Sequence, residues 1–444
     1  MSSEGKSAMG EENGEKSALV PRLRFPEFLN GSAWQLYTLG SIGETISGLS
    51  GKSAEDFGKG SPFVTYRQIF ENSFVDLDKC GFVQVEIGER QNEVCYGDIL
   101  ITGSSETPEE VGFASVVLEK PSVKTYLNSF CFAFRPKPET LGNSKFSQFL
   151  FHSPWYRAEV TNLAQGSTRF NISKLGFLKL GLPVPTQDEQ QKIADCLSSL
   201  DELITAETQK LDALKTHKKG LMQQLFPREG ESVPRLRFPE FREAGEWEEK
   251  PLAEVCNVLQ GYGFPEVLQG RSEGKYPFCK VSDISRAVAD RGGLLDEASN
   301  YVGDDDLLSL RAKLIPKGAT VFAKIGEALR LNRRAYVQKE CLIDNNTTGL
   351  KAIEGVADDY FVYLLSQLID LNEHCGGAVP SVNKTTLEDI EVVVPGLDEQ
   401  KRIAERLSPL DDLITTQSQK IDALKSHKKG LMQQLFPTLD EVPA

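Results

Sequence analysis

The chain has 444 residues and a formal net charge of −14. That length allows two or three domains with cores of their own, and the acidity argues against a protein that grips a polyanion over its whole surface, though not against local basic patches. No apolar run reaches the roughly 18 residues of a membrane span, and eight scattered cysteines without a CxxC spacing read as free thiols of a reducing cytoplasm.

In chain order, residues 1–19 are polar and charged with no apolar core, which predicts a disordered tail rather than a secretory leader. VPRLRFPEF (20–28) follows, then Trp34. The runs SPFVTYRQI (61–69) and YGDILITGSS (96–105) read as strands, the second entered through a Gly turn. FSQFLFHSPWYRAEV (146–160) reads as an apolar helix, and 166–185 as a Gly-rich loop, a short turn and a strand ending in Pro. From 188 to 227 apolar residues recur every three and four positions (Leu197, Leu200, Ile204, Leu211, Leu214, Leu221, Leu225), which predicts one long helix ending at Pro227.

The series then starts again. VPRLRFPEF returns at 233–241 and a tryptophan at Trp247, with Gly261 matching Gly48. YPFCKVSDI (276–284), KGATVFAKIG (317–326), YFVYLLSQLIDLNEH (360–374) and 376–395 answer the earlier landmarks, and the helix returns at 398–437. The two helices are identical at 29 of 40 aligned positions at a constant offset of 210, whereas the globules between them have diverged. The whole chain is thus a tandem duplication. It is expected to be α/β, two mixed globules separated by long helices.

Each helix carries a heptad seam with two polar breaks, Glu207 and Lys218 in the first, Gln417 and Lys428 in the second. A seam of this length needs a partner. Either each helix lies on its own globule, or the two form an antiparallel coiled coil related by a pseudo-twofold axis. In the second case Glu207 is expected to face Lys428, and Lys218 to face Gln417.

The linked set of DEQ-x-x-IA helix starts, KKGLMQQLFP helix ends, RFPEF…W entries and the GSTRFNISK loop resembles the specificity subunit of type I restriction–modification systems. The resemblance covers essentially the chain after the tail. It implies target-recognition domains at 20–186 and 228–396, spacer helices at 187–227 and 397–437, and a C-terminal tail at 438–444. It further implies a cytoplasmic, non-catalytic subunit that reads a bipartite site on double-stranded DNA. The implied partners are two modification subunits, which methylate adenine, and two restriction subunits, with no membrane. No cofactor is implied for this chain; S-adenosylmethionine, ATP and Mg belong to the partners.

The residues agree with a chain that carries no chemistry. There is no Pro-Pro for an amino-methyltransferase motif. GLSGKS (48–53) places its first Gly two residues too close to Gly-Lys-Ser for a phosphate loop, and reads as a Gly/Ser turn. The competing reading is a coiled-coil protein-interaction scaffold with two ligand heads and no role on DNA.

Candidate DNA contacts lie in three matched pairs of segments, with Tyr262 and a repeated basic tract besides. The basic run 311–334 offers Lys324, Arg330, Arg333 and Arg334 for phosphates and Asn332 for an adenine edge; its bland reading is a solvated basic face. The matching stretch of the first globule offers Ser104, Ser105 and Thr107, with Glu109 and Glu110 as acceptors for cytosine amino groups. The loops 166–171 and 376–383 add Arg169, Asn171, Ser381 and Asn383, which serve equally well as a cap and turn. Arg67 and Gln68, answered by Lys280 and Ser282, form a third pair, and Tyr262 either stacks on a base or packs. The tract 217–219 and its copy 427–429 complement a helix dipole, touch DNA between half-sites, or meet a partner subunit.

Overall fold

The computed structural model describes residues 19–377 and 379–438, so the expected tails lie outside it except for Leu19 and Thr438. The two long helices span Gln187–Leu225 and Leu397–Leu435, 39 residues each, and the second runs on through Pro409. Asp188 and Glu189, and likewise Asp398 and Glu399, stand in their first turns, where the helix dipole favours carboxylates.

The chain divides into two units, Ile204–Ala423 and the remainder on either side of it. The division falls inside both helices. Each unit therefore owns one globule, the start of the helix that follows that globule, and the end of the other helix.

In the first unit the strands Gly43–Ser47, Cys131–Pro136, Ile99–Thr102 and Ala114–Val116 lie side by side in that order, all antiparallel. In the second unit the order Cys256–Gln260, Thr347–Ala352, Thr320–Ala323, Ala335–Val337 repeats it, antiparallel, and Leu294–Leu295 adds a parallel fifth strand. Gly48 and Gly261 hold one position in both. A Cβ there would stand 2.1 Å from the Asn128 carbonyl oxygen in one unit and 1.8 Å from that of Asp344 in the other, so only glycine lets the chain pass.

Two expected elements differ. The strands predicted over 61–69 and 276–284 stop halfway, at Val64 and Cys279, and continue as helices Tyr66–Glu71 and Val281–Asp290. Thr65 accepts from the Gln68 amide, and Asp283 accepts from the Lys280 amide at 2.8 Å; these caps override the β-branched composition. The single helix expected over 146–160 breaks into Ser144–Leu150 and Pro154–Thr161, because Pro154 cannot continue the ladder and Ser153 caps a new start.

The repeated motifs are the parts that join globule to helix. Arg24 forms a buried two-pronged pair with Glu189 (2.8 and 2.7 Å), and Arg237 repeats it on Glu399 (2.9 and 2.7 Å). Trp34 and Trp247 receive the phenylalanines that end the long helices. Phe436 meets Trp34 edge-on and stacks on Phe146 in the first unit; Phe226 meets Trp247 and stacks on Phe361 in the second. Such ring pairs add about 0.5–1.5 kcal/mol each beyond the area they bury.

Within each unit the helix segments run antiparallel. In the second, Leu211 packs with Ile414 and Ile421. The expected partners of the polar breaks are not the observed ones. Glu207 accepts from Gln417, its own counterpart in the repeat, and pairs with Lys420. Lys218 binds both oxygens of Asp411 at 2.7 Å, and Lys428 binds Asp201. The polar breaks do sit in the seam, but the register is set where the equivalent positions 207 and 417 meet. Each lysine stem then reaches an aspartate, not the facing break.

Candidate nucleic-acid interface

In the first unit the strand Ser104–Ser105 pairs antiparallel with Phe170–Asn171, and the Ile172 amide donates to the Gly103 carbonyl at 3.0 Å. The second unit builds the same seat. Ile325 bridges to Ser381, and the Val382 amide donates to Lys324 at 3.0 Å. The loops 166–171 and 376–383 are therefore strapped onto the strand ends that carry the other candidates. Ser104, Ser105, Arg169 and Asn171 come together in one unit; Lys324, Ser381 and Asn383 do so in the other.

The first seat is polar and partly closed. Ser104 and Ser105 are buried, and the Ser105 hydroxyl donates to Glu110 at 3.0 Å, so that carboxylate already has a donor. Arg169 is exposed and lies 5.3 Å from the Phe130 ring centre, while Asn171 donates to the Arg169 carbonyl. The Thr107 hydroxyl is buried without a hydrogen-bond partner among the described residues. Tyr66 stands over the seat on Ser105, its phenol pushed up by burial.

The second seat is a cavity of about 310 Å³ lined by Gln260, Lys324, Asn345, Ser381, Asn383 and Lys384 among others. Donors of both amide and ammonium kind converge there, the set that recognises base edges and phosphates. Asn383 has a second duty: its side chain caps the helix Lys384–Glu388 by accepting from the Thr386 amide, as Ser173 caps Lys174–Leu178. Lys174 and Lys384 occupy the same place in the repeat and escaped notice in the sequence. Their shared offset of 210 was the available signal.

Several predicted contacts belong to the fold instead. Gln68 is buried and donates to the Asp76 and Lys79 carbonyls. Asn332 takes a left-handed turn (φ 52°), donates to the Ile369 carbonyl and accepts from Leu371 and Arg334, which leaves no free edge for adenine. Arg334 is only 4% exposed, and burial holds its guanidinium down to about 10. Tyr262 packs: its hydroxyl accepts from the Lys313 amide, and its ring joins the cluster around Phe278. Lys280 lies 4.8 Å from the Phe264 ring centre and donates to Gln269. Ser282, Arg67 and Arg330 are exposed, Arg67 paired with Glu71 and Arg330 within 3.7 Å of Glu327. Arg333 is half-buried and faces a different cavity.

Two related units, each presenting a polar or basic loop seat on a nearly invariant helical frame, define a duplicated recognition protein. The family described as the type I restriction modification DNA specificity domain matches residues 31–216 and 244–426. The chain belongs to that family. It is 26% identical to a putative type I restriction enzyme MjaX specificity subunit of Methanocaldococcus jannaschii over 417 residues, 91% of this chain and 92% of that protein. Over 272 residues it is 23% identical to the EcoR124I/EcoR124II specificity subunit of Escherichia coli, 58% of this chain and 62% of that protein. Its fold is that of the type I specificity subunit of M. genitalium, with a TM-score of 0.59 at 16% identity over 95% of this chain and all of that one. The protein is a non-catalytic DNA sequence-recognition subunit, which works in assembly with modification and restriction subunits. No helix among the described residues is long and apolar enough to cross a membrane.

Proposed function

We propose that each unit reads one half of a bipartite site on double-stranded DNA through its strapped loop, with recognition domains at 20–186 and 228–396 and spacer helices at 187–227 and 397–437. In this reading the chain works in the cytoplasm with two modification subunits and two restriction subunits. S-adenosylmethionine, ATP and Mg are theirs. The observation that carries the proposal is a shared seat filled by unlike residues. The same pattern of main-chain pairing occurs within each unit, but it carries Ser104, Ser105, Arg169 and Asn171 in the first and Lys324, Ser381 and Asn383 in the second. A conserved mount with variable side chains suits two different half-sites.

The test is to co-express the chain with a modification subunit and map methylated adenines across a genome, before and after exchanging residues 34–185 for a relative's. The expected result is a pair of short motifs at fixed separation, of which only one changes. If both motifs change, the assignment of one half-site to each unit is wrong. Within the second seat, Lys324→Ala and Lys384→Ala report on phosphate contact through a salt slope lowered by about one each. Ser381→Ala reports on a base contact through relaxed specificity at one position.

A further inference from the structure

The end of the first long helix forms one wall of a cavity of about 530 Å³ in the second unit, a volume typical of small-ligand sites. Lys215, Lys218 and Lys219 line that wall, and Arg333 and Arg334 come from the globule opposite. Asp411 neutralises Lys218. The other four cations have no ion-pair partner among the described residues. Arg334 is the unusual one. It is almost fully buried, and among the described residues its terminal nitrogens reach only neutral oxygens (Asn332, Arg333, Ile369) and its Nε has no partner. Asp370 acts on it only through space and no carboxylate is hydrogen-bonded to it among the described residues; a buried guanidinium held only by neutral oxygens is costly and suits an added anion. Met222, Val288 and Leu368 supply an apolar side to the same cavity.

The first unit offers an internal control. Its matching cavity, about 350 Å³, is lined by Lys425, Lys428, Lys429 and Met432, the same helix positions 210 residues on. The opposite wall there consists of Ser73, Gln148, Phe149 and His152, with no arginine. One helix wall thus faces a buried cation in one unit and neutral groups in the other.

We propose that the cavity of the second unit binds the phosphoryl group of a nucleotide, with Arg334 within and Lys215, Lys219 and Arg333 around it. Guanidinium and ammonium groups donate only, and several of them converging suit a multiply charged oxyanion. The apolar side accommodates sugar or base. The nucleotide comes either from the DNA backbone, in which case the site rests on the DNA-recognition reading, or from solution.

The test uses the full chain and two probes, ATP measured by calorimetry and a duplex without target sequence measured by anisotropy across a salt series. Lys215→Gln with Lys219→Gln, both on an exposed helix face, is expected to weaken the bound probe about tenfold or more. Lys425→Gln with Lys429→Gln is expected to leave it within about twofold. Loss confined to ATP identifies a free nucleotide; a salt slope lowered by about two, confined to DNA, identifies backbone phosphate. Arg333→Gln, outside the fold's hydrogen-bond network, is expected to act in the same direction. The proposal is overturned if wild type binds neither probe, or if both double substitutions have equal effects. ATP binding that persists in a chain unable to discriminate any target would leave this site standing and remove the DNA-recognition reading alone.

Discussion

Lys218 and Lys428 hold the same place in two nearly identical helices, and each binds an aspartate that is also related by the repeat, Asp411 and Asp201. Their surroundings differ. The side chains of Lys218 and Asp411 are 11% and 4% exposed, against 24% and 38% for Lys428 and Asp201. The Tyr360 hydroxyl also donates to Asp411, and burial pushes the Tyr360 phenol far up, so it stays a donor. The Tyr363 ring stands beside Lys218; a Phe149 ring stands beside Lys428. One sequence motif therefore gives a buried ion network in one unit and a half-exposed pair in the other, because the divergent globule decides what covers it.

Breaking this comparison should have its largest effect in the second unit. Asp411→Asn leaves Lys218 charged and buried without its counter-ion, and should destabilise that unit by about 3–5 kcal/mol in denaturant titration.

The next effect lies in the first unit. His152 donates from Nε2 to the Ala114 carbonyl, and burial holds its imidazole down to about 4. The unfolded chain takes up that proton near 6.5. The stabilisation is therefore complete above about pH 6.5 and is lost as pH falls toward 4, by up to about 3 kcal/mol. His152→Gln should flatten that part of the stability profile; an unchanged profile would assign the acid sensitivity elsewhere.

Smaller still is the contrast between the tryptophans. Trp34 Nε1 donates to Glu189 at 3.2 Å, whereas Trp247 Nε1 is buried without a partner among the described residues. Trp34→Phe should cost about 1–2 kcal/mol more than Trp247→Phe. Asp201→Asn should cost less than about 1 kcal/mol, the usual range for an exposed pair. A cost equal to that of Asp411→Asn would show that burial does not separate the two networks.

The duplication and the long helices were legible, and the strand landmarks in part, because they depend on local periodicity and on a chain that can be compared with itself. Helix pairing was not. Lys218 and Lys428 were visible as breaks in the seam, but Asp411 and Asp201 become their partners only after the register is known, and register is a tertiary property. The basic run 311–334 shows the same limit. Charge composition cannot separate Arg330, which is exposed, from Arg334, which turns inward just before the strand Ala335–Val337. Asn332 invited a base-reading role, yet its side chain stabilises a left-handed turn, a conformation that asparagine tolerates better than most residues. The loop candidates lie beside the strand ends in both units, because Gly-rich loops between a helix and a strand have few places to go.

The docking of Phe436 between Trp34 and Phe146 has a consequence for the order in which the protein is made. The second unit is one continuous stretch, Ile204–Ala423, and every residue of it exists before synthesis ends. The first unit waits for Leu435 and Phe436 to complete its core, some 400 residues after Trp34 has left the ribosome. The half that is synthesised first therefore finishes folding last, because its two ends meet only across the whole intervening stretch, as in the bond from the Leu23 amide to the Gln434 carbonyl. Until then its aromatic socket stays open, which makes the nascent first unit the stage most exposed to misassembly.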